Sequence, residues 1–178
     1  MQIEGANGSG KTTLLRLLTR ALEASSGTVL YGGVNIEQCL YEYREQILYL
    51  GHQPGVKLNL SAEENLRWMS PVSTAPEAIA SALADLGLRG YEDVPCYSLS
   101  AGQHRRVALA RLLTSHARIW LLDEPFTAID KQGVAFLEQS MQKHLDQGGA
   151  ILVSTHQDLA IAGVRKILVQ PSVDLGAD

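Results

Sequence analysis

The chain has 178 residues and a mass of 19.3 kDa, the size of a single domain with one hydrophobic core. Its 15 basic and 19 acidic residues give a net charge of −4, which argues against a nucleic-acid partner. Two cysteines, Cys39 and Cys96, are too few for a disulfide scaffold, and no sequence window is apolar enough for a membrane span. We therefore expect one cytosolic domain, unless a partner holds it at a membrane.

The first third of the chain predicts a strand, a glycine-rich loop and a helix, in that order. Residues 2–4 have the pattern of a strand end, and residues 11 to about 23 predict an amphipathic helix. Short β-type segments follow at 28–31 and 47–50. The predicted buried stripe of the helix consists of Leu14, Leu15, Leu17, Leu18 and Leu22.

The middle of the chain predicts helices. Between Ser61 and about Leu88 the pattern is helical, with Ser61 and Glu64 spaced as a capping pair and Pro76 suited to the first turn of a second helix. Ser100 predicts the start of a further helix. We expect this region to be a helical insertion.

The last third predicts two buried strands and the helix that joins them. Segments 119–122 and 150–154 are almost wholly apolar, as strands covered on both faces should be, and Gly133 to about Leu145 predicts a helix. The tail after Pro171 is expected to be frayed. The predicted fold class is α/β, with a central and mostly parallel sheet that has helices on both faces.

The segment GANGSGKT fits the phosphate-loop pattern G-x-x-x-x-G-K-[ST] between a strand and a helix. Its glycines let backbone N–H groups form an anion site at the positive end of a helix. Lys11 would neutralise phosphate oxygens, and the Thr12 hydroxyl would ligate Mg²⁺. The alternative is a glycine-rich turn before an ordinary helix. The predicted ATP-binding residues of this loop are Gly5, Ala6, Asn7, Gly8, Ser9, Gly10, Lys11, Thr12 and Thr13.

Two carboxylates follow the apolar strand 119–122, at the kind of sheet edge where ligands bind. We expect Asp123 to orient Mg²⁺ through a water, and Glu124 to polarise the attacking water as general base. His156, after the next strand, could donate to the γ-phosphate, and the amide of Gln53 could contact both metal and water. Each residue alone is more typical of a plain strand-to-loop exit, and the order of the motifs along the chain is what favours the functional interpretation.

A second phosphate site is predicted where the helix from Ser100 begins. The segment LSAGQ provides a hydroxyl, a glycine and exposed N–H groups at Ser100, Gly102 and Gln103. The alternative is an ordinary serine cap. If this site binds phosphate, the helical insertion holds it far from the chain's own loop, so a second copy must supply it. The prediction is a head-to-tail homodimer around two ATP molecules.

Taken in order, these motifs resemble those of the ATP-binding cassette (ABC) ATPases. The resemblance implies a P-loop NTPase fold with a core at about 1–55 and 117–170 and a helical signature subdomain at about 58–116. It also makes residues 126–130 the D-loop, with Asp130 at the dimer interface. Ala101 stands where the family's signature has a glycine, and we expect phosphate contact through Ser100 and Gly102 to survive this change.

Within the superfamily, three segments resemble the haem exporter ATPases of bacterial cytochrome c biogenesis. These are residues 51–57, 99–112 and 122–130, within a similarity that runs from Gln2 to about Leu168. The resemblance implies a translocase subunit on the cytoplasmic face of the inner membrane, bound to integral membrane subunits. It implies contact with a membrane partner near 53–66, and haem handled by those partners and not by this chain.

The family has about thirty further residues before the phosphate loop, which form antiparallel strands and carry an aromatic side chain that stacks on adenine. Because Gly5 is the fifth residue here, we expect the true start to lie upstream. Three alternative functions remain. They are an ATPase for a different cargo, an ABC-type protein of DNA repair, whose long coiled coils this sequence lacks, and an assembly module without turnover.

Overall fold

A five-stranded parallel sheet organises the computed structural model, which describes residues 1–170. The strands lie in the order β4–β5–β6–β1–β7, and a separate antiparallel pair is formed by β2 and β3. The strands are β1 (Gln2–Glu4), β2 (Leu30–Tyr31), β3 (Val34–Asn35), β4 (Ile47–Leu50), β5 (Ile119–Asp123), β6 (Ala150–Ser154) and β7 (Lys166–Leu168). The helices are α1 (Lys11–Leu18), α2 (Leu40–Gln46), α3 (Ala62–Met69), α4 (Pro76–Asp85), α5 (Ala101–Thr114) and α6 (Lys131–Asp146).

The strands predicted at 2–4, 47–50, 119–122 and 150–154 are confirmed, and they pair in parallel. Strand β5 pairs with β6 from Ile119 opposite Ala150 to Asp123 opposite Ser154, and β1 lies between β6 and β7. Since parallel strands end at the same sheet edge, the carboxyl ends of β1, β4, β5 and β6 all open onto one side of the molecule.

Helices cover both faces of the sheet, as predicted. On one face Leu15 of α1 packs with Ile3 and Leu121. On the other face the alternate residues of β4, β5 and β6 join the side chains of α3, α4, α5 and α6 in one continuous cluster. The predicted division into a core and a helical subdomain stays a prediction, and this cluster crosses the boundary between the two.

The helix after the phosphate loop is shorter than predicted. It ends at Leu18 and not near Glu23, because Arg20 takes a left-handed conformation with φ 59° and the N–H groups of Ala21 and Leu22 both bond to the carbonyl of Arg16. A left-handed residue ends the helical hydrogen-bond ladder. Of the predicted leucine stripe, only Leu15 is fully buried.

Other boundaries differ by smaller amounts. The predicted strand at 28–31 is limited to β2, which forms a tight hairpin with β3 through two glycines of positive φ. The helix predicted from Gly133 begins two residues earlier, because Asp130 caps it. The sequence pattern did not reveal α2, β3 or β7. The predicted frayed tail lies outside the described residues.

Among residues 1–170, no helix combines the length and apolar character that a bilayer crossing needs.

Candidate functional site

Apart from the Ser100, Gly102 and Gln103 group at the start of α5, the predicted site residues follow four neighbouring strands at one edge of the sheet. Strand β1 leads into the phosphate loop, β4 into Gln53, β5 ends at Asp123, and β6 leads into His156. Parallel pairing of these strands brings the four loops together. The structure therefore converts a dispersed set of sequence motifs into one cluster.

The phosphate loop is built around glycines that no other residue could replace without strain. Gly5 has φ 152°, and a Cβ at this position would collide with the carbonyl of Val169 and with the side chain of Ser9. Gly10 caps α1 in a left-handed conformation with φ 104°. The loop thereby presents the first turn of α1, with its free N–H groups, towards the sheet edge.

Two side chains of the loop are placed for an anion. The Lys11 ammonium donates to the carbonyls of Gly5 at 2.7 Å and Ala6 at 3.1 Å, so its positive charge is held inside the loop. The hydroxyl of Ser9 is buried and has no partner among the described residues. An orphaned buried hydroxyl in a cationic loop fits the binding of a phosphate group, which would accept its hydrogen bond.

Asp123 is positioned from two sides by hydroxyl groups. Thr12 Oγ1 donates to its Oδ2 at 2.8 Å, and Ser154 Oγ donates to its Oδ1 at 2.6 Å. The carboxylate is almost fully buried, whereas Thr12 is exposed. Hydroxyl and carboxylate oxygens are the donors that Mg²⁺ prefers, so the Thr12–Asp123 pair fits the predicted magnesium site, with Gln53 on the adjacent loop.

Glu124 has a backbone that turns sharply away from the strand. Its φ of 47° is left-handed, and its N–H bonds to both the carbonyl and the hydroxyl of Ser154, at 3.0 and 3.1 Å. The carboxylate lies 3.7 Å from His156 Nε2, which is 3.2 Å from Asn7 Oδ1 of the phosphate loop. His156 therefore lies between the predicted base and the phosphate loop.

Arg105 is a buried residue of this site that the sequence reasoning missed. It is 3% exposed and lies on α5 behind the loops that carry Gln53 and Glu124. Burial lowers the pKa of its guanidinium, and the nearby Asp123 and Glu124 charges act in the opposite direction. Its bonds go to backbone carbonyls, for which no sequence pattern exists.

Gln2 of β1 is the second residue missed. Its side chain is 2% exposed, and Nε2 donates to the carbonyls of Thr155 at 3.3 Å and Gln157 at 3.0 Å. These two residues flank His156 on either side. Strand β1 reads Gln-Ile-Glu, so its sequence gives no sign that Gln2 is the buried residue, and only the fold shows that this buried amide has partners.

Ser100 and Gln103 form a complete capping box at the start of α5. Ser100 Oγ accepts from the Gln103 N–H at 3.3 Å, and Gln103 Oε1 accepts from the Ser100 N–H at 2.9 Å. Both side chains are used in the cap, as the alternative interpretation predicts, and the exposed Ser100 hydroxyl remains able to donate. A Cβ on Gly102 would lie 3.1 Å from the carbonyl of Ala128.

Asp130 bonds within its own chain. It caps α6 by accepting from the Gly133 N–H at 2.8 Å and pairs with Arg106 Nη2 at 2.7 Å. The Gly133 bond and then Arg106 lower the pKa of its carboxyl group.

The predicted second phosphate site at Ser100, Gly102 and Gln103 makes no hydrogen bond to the phosphate loop within residues 1–170. The structure therefore does not bring the two predicted phosphate sites together in one chain.

Comparison with known proteins agrees with this site. The family model described as ABC transporter matches residues 1–127. The chain is 50% identical over 161 residues to the cytochrome c biogenesis ATP-binding export protein CcmA of Pseudomonas putida, covering 89% of this chain and 77% of that protein. It is 49% identical over 162 residues to the protein of the same name from Escherichia coli, covering 91% and 78%.

The fold has close counterparts among solved structures. A dimeric ATP-binding cassette in a post-hydrolysis state, bound to ADP and Pi, superposes with a TM-score of 0.81 at 25% identity, covering 95% of this chain and 80% of that one. The phosphate loop, the Asp123–Glu124 strand end and the capped α5 lie in the part of the chain that the family model matches. The chain therefore belongs to the ABC transporter family.

Proposed function

We propose that this chain is the ATP-hydrolysing subunit of a membrane transporter that supports cytochrome c biogenesis by moving haem across the bacterial inner membrane. The observation that carries this proposal is the 50% identity, over 89% of the chain, to a protein named for cytochrome c biogenesis and export. The cluster at the sheet edge supports the hydrolytic part of the proposal, because it combines a phosphate loop, the Thr12–Asp123 pair, which suits a metal ion, and the Glu124 carboxylate beside His156.

In the proposed reaction the residues divide the work. Lys11 and the first turn of α1 bind the β- and γ-phosphates. Thr12 and Asp123 would hold Mg²⁺, with Gln53 nearby, and the ion supplies charge neutralisation for the phosphates. Glu124 accepts a proton from the attacking water. His156, whose Nε2 lies 3.7 Å from the Glu124 carboxylate, orients that water towards the γ-phosphate.

Two copies of the chain would complete each site. In the proposed dimer Ser100, Gly102 and the α5 N-terminus of one copy contact the γ-phosphate bound to the loop of the other. Support comes from the separation of the two predicted phosphate sites within one chain and from the exposure of Ser100. A dimeric ATP-binding cassette is also among the structural counterparts.

A patch beside the Gln53 loop is proposed to bind the membrane subunit. Leu58, Trp68 and Tyr97 are 51%, 68% and 68% exposed, and the Tyr97 N–H bonds to the carbonyl of Leu58. The Lys57 ammonium lies 4.2 Å above the Trp68 ring. Exposed aromatic side chains of this kind are typical of protein interfaces, and binding here would place the chain peripherally on the cytoplasmic side of the inner membrane.

The proposal is tested by replacing the corresponding ATPase in a c-type cytochrome-producing bacterium with the full chain. We expect recovery of covalently bound haem in c-type cytochromes, loss of that recovery with Lys11→Ala, and normal recovery with the exposed control Lys143→Ala. Membrane subunits that co-purify with the chain identify its transporter. ATP hydrolysis without any recovery of c-type cytochromes would assign the chain to a different cargo.

A further inference from the structure

Arg105 occupies an unusual position for an arginine. It lies in the second turn of α5, five residues after the cap residue Ser100, and only 3% of its surface is exposed. Neither Asp123 nor Glu124 forms a salt bridge with it among the described residues. A buried cation without a paired carboxylate needs strong hydrogen bonds to compensate for its lost hydration.

The guanidinium obtains those bonds from two loops. Nη1 donates to the carbonyls of Gly51 at 2.9 Å and His52 at 3.4 Å, immediately before Gln53. Nη2 donates to the carbonyls of Asp123 at 3.2 Å and Glu124 at 2.6 Å, and Nε donates to that of Pro125 at 3.3 Å. One side chain therefore joins α5, the Gln53 loop and the segment that carries the base.

All five acceptors are backbone carbonyls, which has a chemical consequence. The carboxylates of Asp123 and Glu124 are not bound by Arg105 and stay available for a metal ion and for water. At Glu124 the backbone is held from both sides, because its N–H bonds to Ser154 and its carbonyl bonds to Arg105. A left-handed residue such as Glu124 keeps its conformation only when its surroundings enforce it.

We propose that Arg105 is a positioning residue for hydrolysis, which fixes the Glu124 backbone and the Gln53 loop in one geometry relative to α5. The role needs arginine, because its planar fork has donors spread over two nitrogens and the Nε, whereas lysine has a single donor atom. The inference rests on the proposed function, since it concerns the same reaction. Among the described residues Arg105 makes no hydrogen bond to the phosphate loop. We therefore expect its replacement to change the rate of hydrolysis and not the binding of ATP.

The experiment uses the full chain in complex with its membrane subunits and compares Arg105→Lys, Arg105→Gln and the wild type. The control is Arg111→Lys, because Arg111 is also a largely buried arginine of α5 and makes no hydrogen bond to either loop within the described residues. We expect Arg105→Gln to lower kcat about 10- to 100-fold with KM changed less than about twofold. Arg105→Lys should retain part of the activity, and Arg111→Lys should keep kcat.

Hydrogen exchange of the unliganded protein supplies a readout independent of turnover. We expect the amide of Glu124, which bonds to Ser154, to exchange faster in both Arg105 variants and at the wild-type rate in Arg111→Lys. Wild-type exchange in the Arg105 variants, or equal losses of ATP affinity and kcat, would overturn the positioning role. A wild-type complex that hydrolyses no ATP would instead refute the proposed function, while the exchange comparison would still decide the role of Arg105.

Discussion

Two adjacent carboxylates in this protein, Asp123 and Glu124, have different surroundings, and those surroundings suit them to different roles. Asp123 is buried and both of its oxygens accept hydroxyl hydrogen bonds, from Thr12 and Ser154. Glu124 is partly exposed and faces His156. A fixed carboxylate suits a metal ion, while an accessible one beside an imidazole suits a water molecule. We therefore expect substitutions at Asp123 and at Glu124 to impair ATP hydrolysis in different ways.

Replacing Glu124 with glutamine removes the proposed base and keeps the shape of the side chain. We expect kcat for ATP hydrolysis to fall by about 10²- to 10⁴-fold, the usual contribution of a general base, with ATP affinity retained. Phosphate release and equilibrium binding of a fluorescent ATP analogue measure the two quantities. The exposed Glu77 on α4 provides the control Glu77→Gln, and unchanged hydrolysis in Glu124→Gln would show that another group is the base.

Sequence reasoning at the residue scale found the side chains that we propose to carry out hydrolysis and missed the buried side chains that hydrogen-bond the loops around them. Lys11, Asp123, Glu124 and His156 belong to ordered motifs and meet at the sheet edge as expected. Arg105 and Gln2 instead bind backbone carbonyls, and any segment supplies those acceptors. Their roles could be found only once the fold had placed the loops beside them.

Two helices of the chain start in the same way, and only one of them is predicted to contact a nucleotide. Helices α3 and α5 each begin with a serine capping box, Ser61 with Glu64 and Ser100 with Gln103. The box satisfies N–H groups that would otherwise lack partners. The pair makes it possible to separate a structural serine from a functional one.

We expect Ser61→Ala and Ser100→Ala each to lower the free energy of unfolding by about 1 kcal/mol, the usual cost of a lost cap. Only Ser100→Ala should also reduce the ATP hydrolysis of the assembled transporter. Urea unfolding and phosphate release measure the two effects. If both variants lost stability equally and neither lost hydrolysis, Ser100 would be a cap and nothing more.

The carboxyl end of α6 rests on β5 through an aromatic stack. The rings of His144 and Trp120 are 3.9 Å apart between centroids and inclined by 11°, and His144 Nε2 donates to the Arg118 carbonyl at 3.2 Å. Burial lowers the pKa of His144 below its ordinary value, with the Arg118 bond opposing that shift. The folded protein therefore favours the neutral ring.

A lowered pKa of His144 makes stability depend on pH in a defined direction. Below about pH 6.5 the unfolded chain binds a proton at His144 that the folded chain binds less well, so stability is complete above that pH and falls as the pH decreases. We expect the Tm to drop less between about pH 7.5 and 5.5 in His144→Phe than in the wild type. The control His116→Phe should follow the wild type, and a parallel drop in His144→Phe would contradict the assignment.

Element prediction succeeded where the hydrophobic pattern was long and failed where short polar contacts decide. Strand β4, strand β6 and the starts of α3, α4 and α5 are found at the predicted residues. The end of α1 depends on the left-handed Arg20, which also pairs with Glu37, and no pattern within the helix indicates this. The two-residue strands of the hairpin and the three-residue β7 are too short to show a period.

At the scale of the whole molecule, the surface that carries Ser100 is predicted to meet the phosphate loop of a second copy. Ser100, Ala128 and Asp130 are all exposed, and Gly102 lies against the Ala128 carbonyl. The start of α5 and the loop before α6 thus form one continuous surface. Its closure on a partner would be driven by nucleotide bound between the copies.

We expect the Glu124→Gln chain to dimerise when ATP and Mg²⁺ are added, because bound ATP is then not consumed. Light scattering should report about twice the 19.3 kDa of the single chain, and chelation of the metal should reverse the change. Ser100→Arg should prevent dimerisation, whereas Ser81→Arg, on the exposed side of α4, should not. A dimer that forms equally well without nucleotide would contradict the predicted arrangement.

One hydrophobic cluster extends from the sheet into α3, α4 and α5. A force applied to these helices therefore also acts on the sheet. A force on the exposed patch at Trp68 would be transmitted through Leu66 and Leu83 to the buried side chains of β4 and β5, since all of them belong to one hydrophobic cluster. Helices α3, α4 and α5 would then move together with the sheet as one rigid unit. A membrane protein that displaced these helices would thereby also move the loops that follow β4 and β5.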